Sequence, residues 1–431
     1  MKGLNSNNAK RILILGGSHR DIPLIKASQA LGYFVITLGD RDYYLGHQYS
    51  DKYYKVNFND SHAVKTIFRD ENIDFILPGC GEESYLKAVE LSHEFKIGHF
   101  DSLETAKLVH NKWKFKEFCL KNKICTPSGF YYNNDSQIQK ISYPIVVKPT
   151  SLSGGRGVNI VNNEDELKLA LNNAQGLSEE VFLEEYIEGK LIAYSIVLRN
   201  QKVYYSFTAS DDVYLNKYLI TTAYPIKLEP LVSEKLQKDV EKLASLLNLV
   251  NGMFHLQVLI KKDTPYIIDV TRRIPGDFFP NLIELCDEVE YSKAVVRSYT
   301  TGQIGTEFIS KTQNQDFIVR HCVMPSKNGI YEDIFIHDDL IDKVISRFDL
   351  IHAGRKISNY LNTQVSILFL KFNSDGIDKE HLKNINKLIY PIVKKWISVF
   401  LKQYIHTKLN RLLGFYNKAL LTKLIILHCR N

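Results

Sequence analysis

The chain has 431 residues, room for roughly two or three domains, because a single core seldom grows beyond about 250–300 residues. Its 45% hydrophobic and 24% charged content is that of a soluble globular protein, and no stretch reaches the ~18 apolar residues of a membrane span or the pattern of a secretory leader. The net charge of +7 is gathered at one end: residues 381–431 hold ten Lys/Arg and no Asp or Glu, leaving residues 1–380 with 45 basic against 48 acidic side chains and no general nucleic-acid footprint.

Residues 11–110 alternate strand and helix. Residues 11–15 are an apolar run ending in Gly16-Gly17, and residues 21–31 have helical spacing (Ile22, Ile25, Ala30) closed by Gly32. Residues 33–38 are a second strand before Gly39-Asp40, and residues 73–77 a later one before Pro78-Gly79. This is the pattern of a parallel sheet with crossover helices. The turn GGSHRD lacks the GxGxxG spacing of a dinucleotide site. A doubly wound sheet still receives ligands at the carboxyl ends of its strands, so residues 16–18, Asp40 and residues 81–83 are candidate substrate-facing loops, although turn chemistry explains them equally well.

Helical spacing resumes over residues 101–119, with a break at Asn111 just before Lys112. After the turn cluster Thr126-Pro127-Ser128-Gly129 comes YPIVVKP (143–149), a β-branched strand with Lys148 at its end. A buried ammonium there needs a partner or a ligand. SLSGGRGV (151–158) follows, a glycine-rich loop whose free N–H groups can fold over phosphate oxygens or simply make a hairpin turn. It lacks the ending of a Walker loop. Residues 164–171 read as a helix. VFLEEYI (181–187) reads as a strand whose backbone beyond Glu184 offers one acceptor and one donor, the pair an adenine edge requires, with Glu188-Gly189 as its end. Residues 191–198 and 203–208 read as strands and residues 233–247 as a helix with Ser233 as N-cap.

Residues 252–277, GMFHLQVLIKKDTPYIIDVTRRIPGD, read as two strands joined by a polar turn. Period two lets Gln257 and Asp269 point the same way, with Thr271 two places on and Arg272-Arg273 at the strand end. Oxygen ligands beside a fixed cation suit a magnesium–phosphate site, and an ordinary hairpin with a charged end is the plain alternative. Beyond Gly302, residues 317–324 and 365–372 read as short strands, with Asn328-Gly329 as a hairpin-type turn. In the tail, Ile397, Leu401, Tyr404, Ile405, Leu409, Leu412, Tyr416 and Leu420 recur at helical spacing. A helix packed on its own domain or a partner fits this, and so does a basic amphipathic helix on an anionic membrane surface. The six cysteines are scattered without a CxxC pair, as expected in a reducing cytoplasm.

Lys112, Lys148, the 151–157 loop, residues 184–187 and the 252–273 strand pair occur in an order that resembles the ATP-grasp superfamily, in particular carboxylate–amine ligases related to biotin carboxylase and the purine-pathway ligases. The resemblance covers about residues 10–305. It implies an α/β and α+β fold: a Rossmann-like pre-ATP-grasp domain (1–110) with a parallel sheet, a two-lobed ATP-grasp domain (111–305), a small mixed C-terminal region (306–390) and the basic helical tail (391–431). By resemblance, Lys112 and Lys148 hold the nucleotide phosphates. Ser153, Gly154, Gly155, Arg156 and Gly157 form the covering loop, and Glu184, Glu185 and Ile187 cradle adenine, the last two through their backbone. Ala193 stands where a ribose-binding Glu is usual, and Glu188 is the substitute on offer. Gln257, Asp269 and Thr271 match the metal ligands, with an amide in place of the first carboxylate. Arg273 matches the arginine that stabilises an acyl phosphate, and Arg272 is a candidate to steer the substrate carboxylate.

The activity implied is ATP-dependent joining of a small carboxylate to an amine or a thiol through an acyl phosphate, with ATP and Mg2+ or Mn2+ as cofactors and ADP and phosphate released. A degenerate nucleotide-binding protein is the alternative that Gln257 and Ala193 motivate, and biotin-type carboxylation a third. The expected location is cytoplasmic, with the tail leaving peripheral contact with the inner membrane face open, and the resemblance leaves a homodimer open.

Overall fold

A computed structural model describes residues 9–133, 142–149, 157–178, 180–308, 316–373 and 379–394. Backbone contacts divide the chain into two compact units. The first is Met1–Cys322 with Lys343–Arg347 and Ile367–Asp378, and the second is Val323–Asp342, Phe348–Ser366 and Lys379–Asn431.

The first unit opens with a parallel sheet of β1 (Arg11–Leu15), β2 (Phe34–Gly39), β3 (Lys52–Lys55) and β4 (Phe75–Pro78), in the order β3-β2-β1-β4. Ile12–Leu15 are fully buried, because helices α1 (Ile22–Ala30), α2 (Ser61–Asp70) and α3 (Glu82–Phe95) supply the crossovers of a sheet covered on both faces. The strand order reverses at β1, so the turns after β1 and β4 flank a switch-point crevice. Buried Asp21 ties these turns together: its Oδ2 accepts from the N–H of Gly17 (2.9 Å) and Ser18 (2.8 Å), and its Oδ1 from Cys80 N–H (2.8 Å). The amides that a pyrophosphate would need are therefore already spent on a carboxylate. A Cβ on Gly17 would meet the His47 ring at 2.0 Å, so the glycine is there for close packing.

Helices α4 (Leu103–Val109) and α5 (Lys112–Lys121) follow. Asn111 caps α5 by accepting from Lys114 N–H, which is why the helical run breaks there. A four-stranded antiparallel sheet comes next, β5 (Gly129–Tyr131), β6 (Ile145–Pro149), β7 (Asn159–Val161) and β8 (Val181–Glu185), ordered β5-β8-β6-β7. Helix α6 (Glu164–Gln175) packs Leu167 and Leu171 against its Ile145 and Val147.

The largest sheet contains β9 (Lys190–Arg199), β10 (Lys202–Val213), β11 (Ile220–Pro225), β12 (Gly252–Lys261) and β13 (Thr264–Thr271), in the order β13-β12-β9-β10-β11, and continues through β14 (Asp316–Val323). Its two faces separate by residue parity. Phe254, Leu256, Val258, Ile192, Tyr194 and Ile196 join the core built on helix α7 (Pro230–Leu246) and α5. The intervening His255, Gln257, Ala193 and Ser195 take the other face. A bulge in the β12–β13 pairing makes Gln257 face Asp269 while Val258 faces Ile267. It lets both Ile267 and Val270 reach the core and keeps Asp269 and Thr271 on the opposite side. Helix α7 begins at Pro230, three residues before the expected cap at Ser233, because proline is preorganised for a first helical position. Helices α8 (Phe279–Asp287) and α9 (Tyr291–Thr300) complete this part.

In the second unit, β15 (Gly329–Ile336), β17 (Lys356–Ile357) and β19 (Ile389–Lys394) form a small antiparallel sheet with β15 central. Gly329 opens a strand paired with β17 and β19, and Asn328 Oδ1 is held by Tyr360 N–H, so Asn328-Gly329 is not the hairpin turn expected. The unit also contains α10 (Asp338–Ile341) and α11 (Lys379–Leu388), while β16 (Val344–Asp349) and β18 (Ser366–Asn373) lie largely in the first unit. Residues 391–394, assigned above to a helical tail, belong to β19, whose alternating burial is that of a strand. The rest of the tail lies outside the described residues. Among the described residues, no helix is long and apolar enough to cross a membrane.

One ion pair joins the parallel-sheet region to β13. Arg272 is 3% exposed; its Nε donates to Asp101 Oδ2 (2.8 Å), Nη1 to Met253 O (2.6 Å) and Nη2 to Val250 O (2.9 Å). Asp101 also takes Tyr85 OH (2.9 Å) and Val250 N–H (2.9 Å). This corrects the expectation that Arg272 steers a substrate: every side of its guanidinium is occupied by protein. Removing one partner of a buried pair strands the other, so Arg272→Met should lower unfolding free energy by about 3–5 kcal/mol in urea titrations. Arg273→Met should change it by less than about 1 kcal/mol.

Candidate functional site

The face of the large sheet opposite the core borders a cavity of about 340 Å3. Its walls include His255, Gln257, Asp269, Thr271 and Arg273 from the β12–β13 pair, Asp211 from β10, Arg320 from β14, and Arg20 and Glu82 from the parallel-sheet region. Gln257 and Asp269 are direct cross-strand partners, as are His255 and Thr271. One strand pair thus delivers an amide, a carboxylate, a hydroxyl and an imidazole to one side. Arg273, beside the core-facing Arg272, lines the cavity; its buried Nε has no partner among the described residues, while Nη1 donates to Ile274 O (3.2 Å).

Lys112, at the first position of α5, donates to Asp269 Oδ2 at 2.9 Å. Burial pushes the Asp269 carboxyl up, but Lys112, with a further pull from Lys148, outweighs it and holds the group below its ordinary value. On Lys112, burial acts downward and Asp269 and Glu82 more than compensate, so the ammonium is held charged. Lys148, at the end of β6, is paired with Glu184 and lies 5.9 Å from the Phe182 ring centre. Lys116, one turn beyond Lys112, approaches the other Glu184 oxygen at 2.5 Å and donates to Pro127 O (3.1 Å). Burial raises the Glu184 carboxyl, and the two lysines together bring it below its ordinary value. The Glu184 side chain is thus a clamp for two lysines, a role sequence reasoning missed, as it missed Lys116.

Glu185 N–H is spent on Ser128 O (2.9 Å) and its side chain accepts from Ser128 Oγ (2.7 Å), so its carbonyl is the group left to meet a ligand. Ile187 is buried just past the strand end, and Glu188 is exposed. Ser153, Gly154, Gly155 and Arg156 lie outside the described residues. Gly157 is described: φ is +74°, and a Cβ there would meet Pro149 at 2.7 Å, so only glycine fits.

Asp211 and Arg320 are buried, at 6% and 2% exposure. Burial pushes the Asp211 carboxyl up to about 7, against the pull of Arg320 and of the Gln257 amide. Ala193 is the register partner of both Gln257 and Ala209, so only a methyl group stands on this row of β9. His255 is brought down to about 3 by burial and then Arg273, so it is a neutral imidazole, bonded at Nδ1 to Ser195 Oγ (2.5 Å). Asp277 and Phe278 both have left-handed backbone (φ +52° and +54°), a strained pair for non-glycine residues. The Asp277 carboxylate is tied to Arg20 Nε (3.1 Å), and Arg320 Nη1 donates to its carbonyl (2.9 Å).

A second cavity, of about 360 Å3, lies at the switch point and is bordered by residues 16–18, Asp40, Tyr44, Gly81 and Glu83; it shares Arg20, Cys80 and Gly81 with the first. Sequence signals for the residues missed were thin. Arg320 interrupts an apolar strand, and Asp211 has no motif around it.

Residues 109–277 match the ATP-grasp domain family. The chain is 24% identical over 284 residues to a formate-dependent phosphoribosylglycinamide formyltransferase of Sulfurisphaera tokodaii, covering 62% of this chain and 70% of that protein. Among solved structures it is similar to an L-amino acid ligase from Bacillus licheniformis (TM-score 0.77, 16% identity, 90% of this chain and 99% of that one). It is also similar to a phosphoribosylglycinamide synthetase from Anaerococcus prevotii (TM-score 0.72, 21% identity, 90% and 100%). These likenesses establish the fold.

The raised Asp211 gives a signed expectation. Its carboxyl is protonated in the folded chain up to about 7 and ionised in the unfolded chain above about 4, so its contribution to stability falls as pH rises through that window. Urea titrations of Asp211→Asn should therefore gain on the wild type between pH 5 and 7, by at most about 1.4 kcal/mol per pH unit.

Proposed function

We propose, from its membership of the ATP-grasp superfamily, that this chain is a ligase that uses ATP to join a small carboxylate to an amine or thiol. The observation that carries the reading is the convergence of Lys112, Asp269, Thr271, Gln257 and Arg273 on one cavity beside Lys148.

The donor set suits magnesium. Asp269 supplies a charged oxygen, Thr271 a hydroxyl and Gln257 an amide oxygen, and a site with one carboxylate relies on the nucleotide's phosphates for the remaining charge. When bound, the metal would neutralise charge on the transferring phosphoryl group. The rest is the work of the chain. Lys112 and Lys148 leave Asp269 and Glu184 to hold phosphate oxygens, while Glu185 O and Ile187 N–H receive the adenine edge. A substrate carboxylate oxygen attacks the terminal phosphorus, the bond to ADP breaks, and an acyl phosphate results. The acceptor nitrogen or sulfur then forms its bond to the acyl carbon, its proton is lost, and phosphate leaves with the electron pair. The unpartnered Arg273 Nε supplies a fixed donor to the charge that develops on the phosphate and on the tetrahedral carbon.

The second reading, a nucleotide-binding protein without turnover, is favoured by one observation: opposite Asp269 the cavity wall carries the neutral amide of Gln257 and no second carboxylate. Calorimetry with ATP separates the two when paired with phosphate release in magnesium, ATP and a panel of acids and amines. We expect phosphate release that Lys148→Ala lowers by about 100-fold or more. Tight nucleotide binding with no phosphate release under any acid–amine pair would leave the second reading standing.

A further inference from the structure

In the cavity beside the β12–β13 pair most charges are already matched, Lys112 with Asp269 and Arg20 with Asp277. Apart from Arg273, two buried groups on its wall keep an atom with no partner among the described residues: Asp211 Oδ1 and Arg320 Nε. They belong to one row of the sheet, since Asp211 is the register partner of Ala223 and Ala223 of Arg320. Strand spacing sets their Cα atoms roughly 10 Å apart with only a methyl group between. No ion pair joins the two among the described residues, so the structure holds an acid and a base open side by side within reach of Arg273. A carboxylate oxygen taken from water without a donor is costly, and so is a guanidinium N–H without an acceptor. A ligand that brings a donor to Asp211 and an acceptor to Arg320 relieves both costs at once.

Resting on the ligase reading, we propose that the activated substrate is an α-amino acid, with Asp211 as the residue that binds its ammonium group and selects for it. The carboxylate to be phosphorylated lies toward Arg273 and Arg320, and the ammonium meets Asp211 Oδ1. An acid without the ammonium leaves the Asp211 oxygen stranded, and sites built around a hydrogen bond discriminate strongly against substrates that lack it.

The test uses the full chain with hydroxylamine as acceptor, which is neutral at pH 7 and makes the natural acceptor's identity irrelevant. Hydroxamate formation is measured for a set of α-amino acids and their matched 2-hydroxy acids. We expect kcat/KM to favour the amino acids by about tenfold or more, and Asp211→Asn to bring that ratio down to about one, through a rise in KM for the amino acids that is larger than for the 2-hydroxy acids. Equal use of the two series by the wild type, which needs no variant, would overturn the proposal. So would a loss in Asp211→Asn that affects both series alike or is repaired by raising magnesium. Failure of the ligase reading looks different, with no hydroxamate from any acid. In that case thermal shifts with a non-hydrolysable ATP analogue still decide: amino acids should raise the wild-type midpoint and not that of Asp211→Asn, and no shift in either would overturn the assignment.

Discussion

The Arg272–Asp101 ion pair is the constraint on which the site depends. The two residues are 171 positions apart, and their contact fixes the end of β13 against the parallel-sheet region. It also decides which way the neighbouring residue points. Both arginines lie in a bend just past β13, and with Arg272 turned to Asp101 its neighbour Arg273 lines the cavity. Tyr299 OH bonded to the Arg272 carbonyl closes the arrangement from α9. The pair is buried, and bonds to Asp101, Met253 and Val250 commit all three guanidinium nitrogens of Arg272 to structure.

The second principle is internal neutralisation. Three lysines and two carboxylates meet around the site, and they are grouped as Lys112 on Asp269 and as Lys148 and Lys116 on Glu184. Each ammonium is held in position by an acid of the protein, which keeps the rotamers ordered at little reorganisation cost. On the proposed function, a nucleotide's phosphates would replace those acids on an already aligned set of cations. Lys116, buried and paired with Glu184, helps to hold that carboxylate below its ordinary value.

Much of this was legible in the residues. Residues 11–15 stand out as an apolar run and residues 252–271 as a strand pair, and Asn111 marks the cap of a helix that starts at Lys112. Other parts were hidden for physical reasons. The KYYK strand β3 is exposed at a sheet edge and has no apolar alternation to betray it. The choice between Arg272 and Arg273 depended on a partner far away in the chain. Glu184 stood in an adenine-like motif, yet its carboxylate turned inward to two lysines, and no spacing rule distinguishes a carboxylate that meets a ligand from one that holds a lysine. Asp211 was invisible because its meaning comes from Gln257 and Arg320, each two strands away across the sheet, on opposite sides of β10.

Gln257 and Asp211 line one cavity, where the amide lowers the carboxyl's pKa, and this makes the two positions interdependent as the chain evolves. With Asp211 present, a glutamate at 257 would set two acids against each other, one of which must remain protonated, so that change is disfavoured alone. With Asp211 replaced by an amide, the same glutamate becomes acceptable. The two residues therefore form an epistatic pair in which charge can pass from one strand to another without changing the sum, and Ala193 is the small neighbour that makes the exchange sterically open. A descendant that recovers the usual acid at 257 would be expected to arrive there by way of position 211.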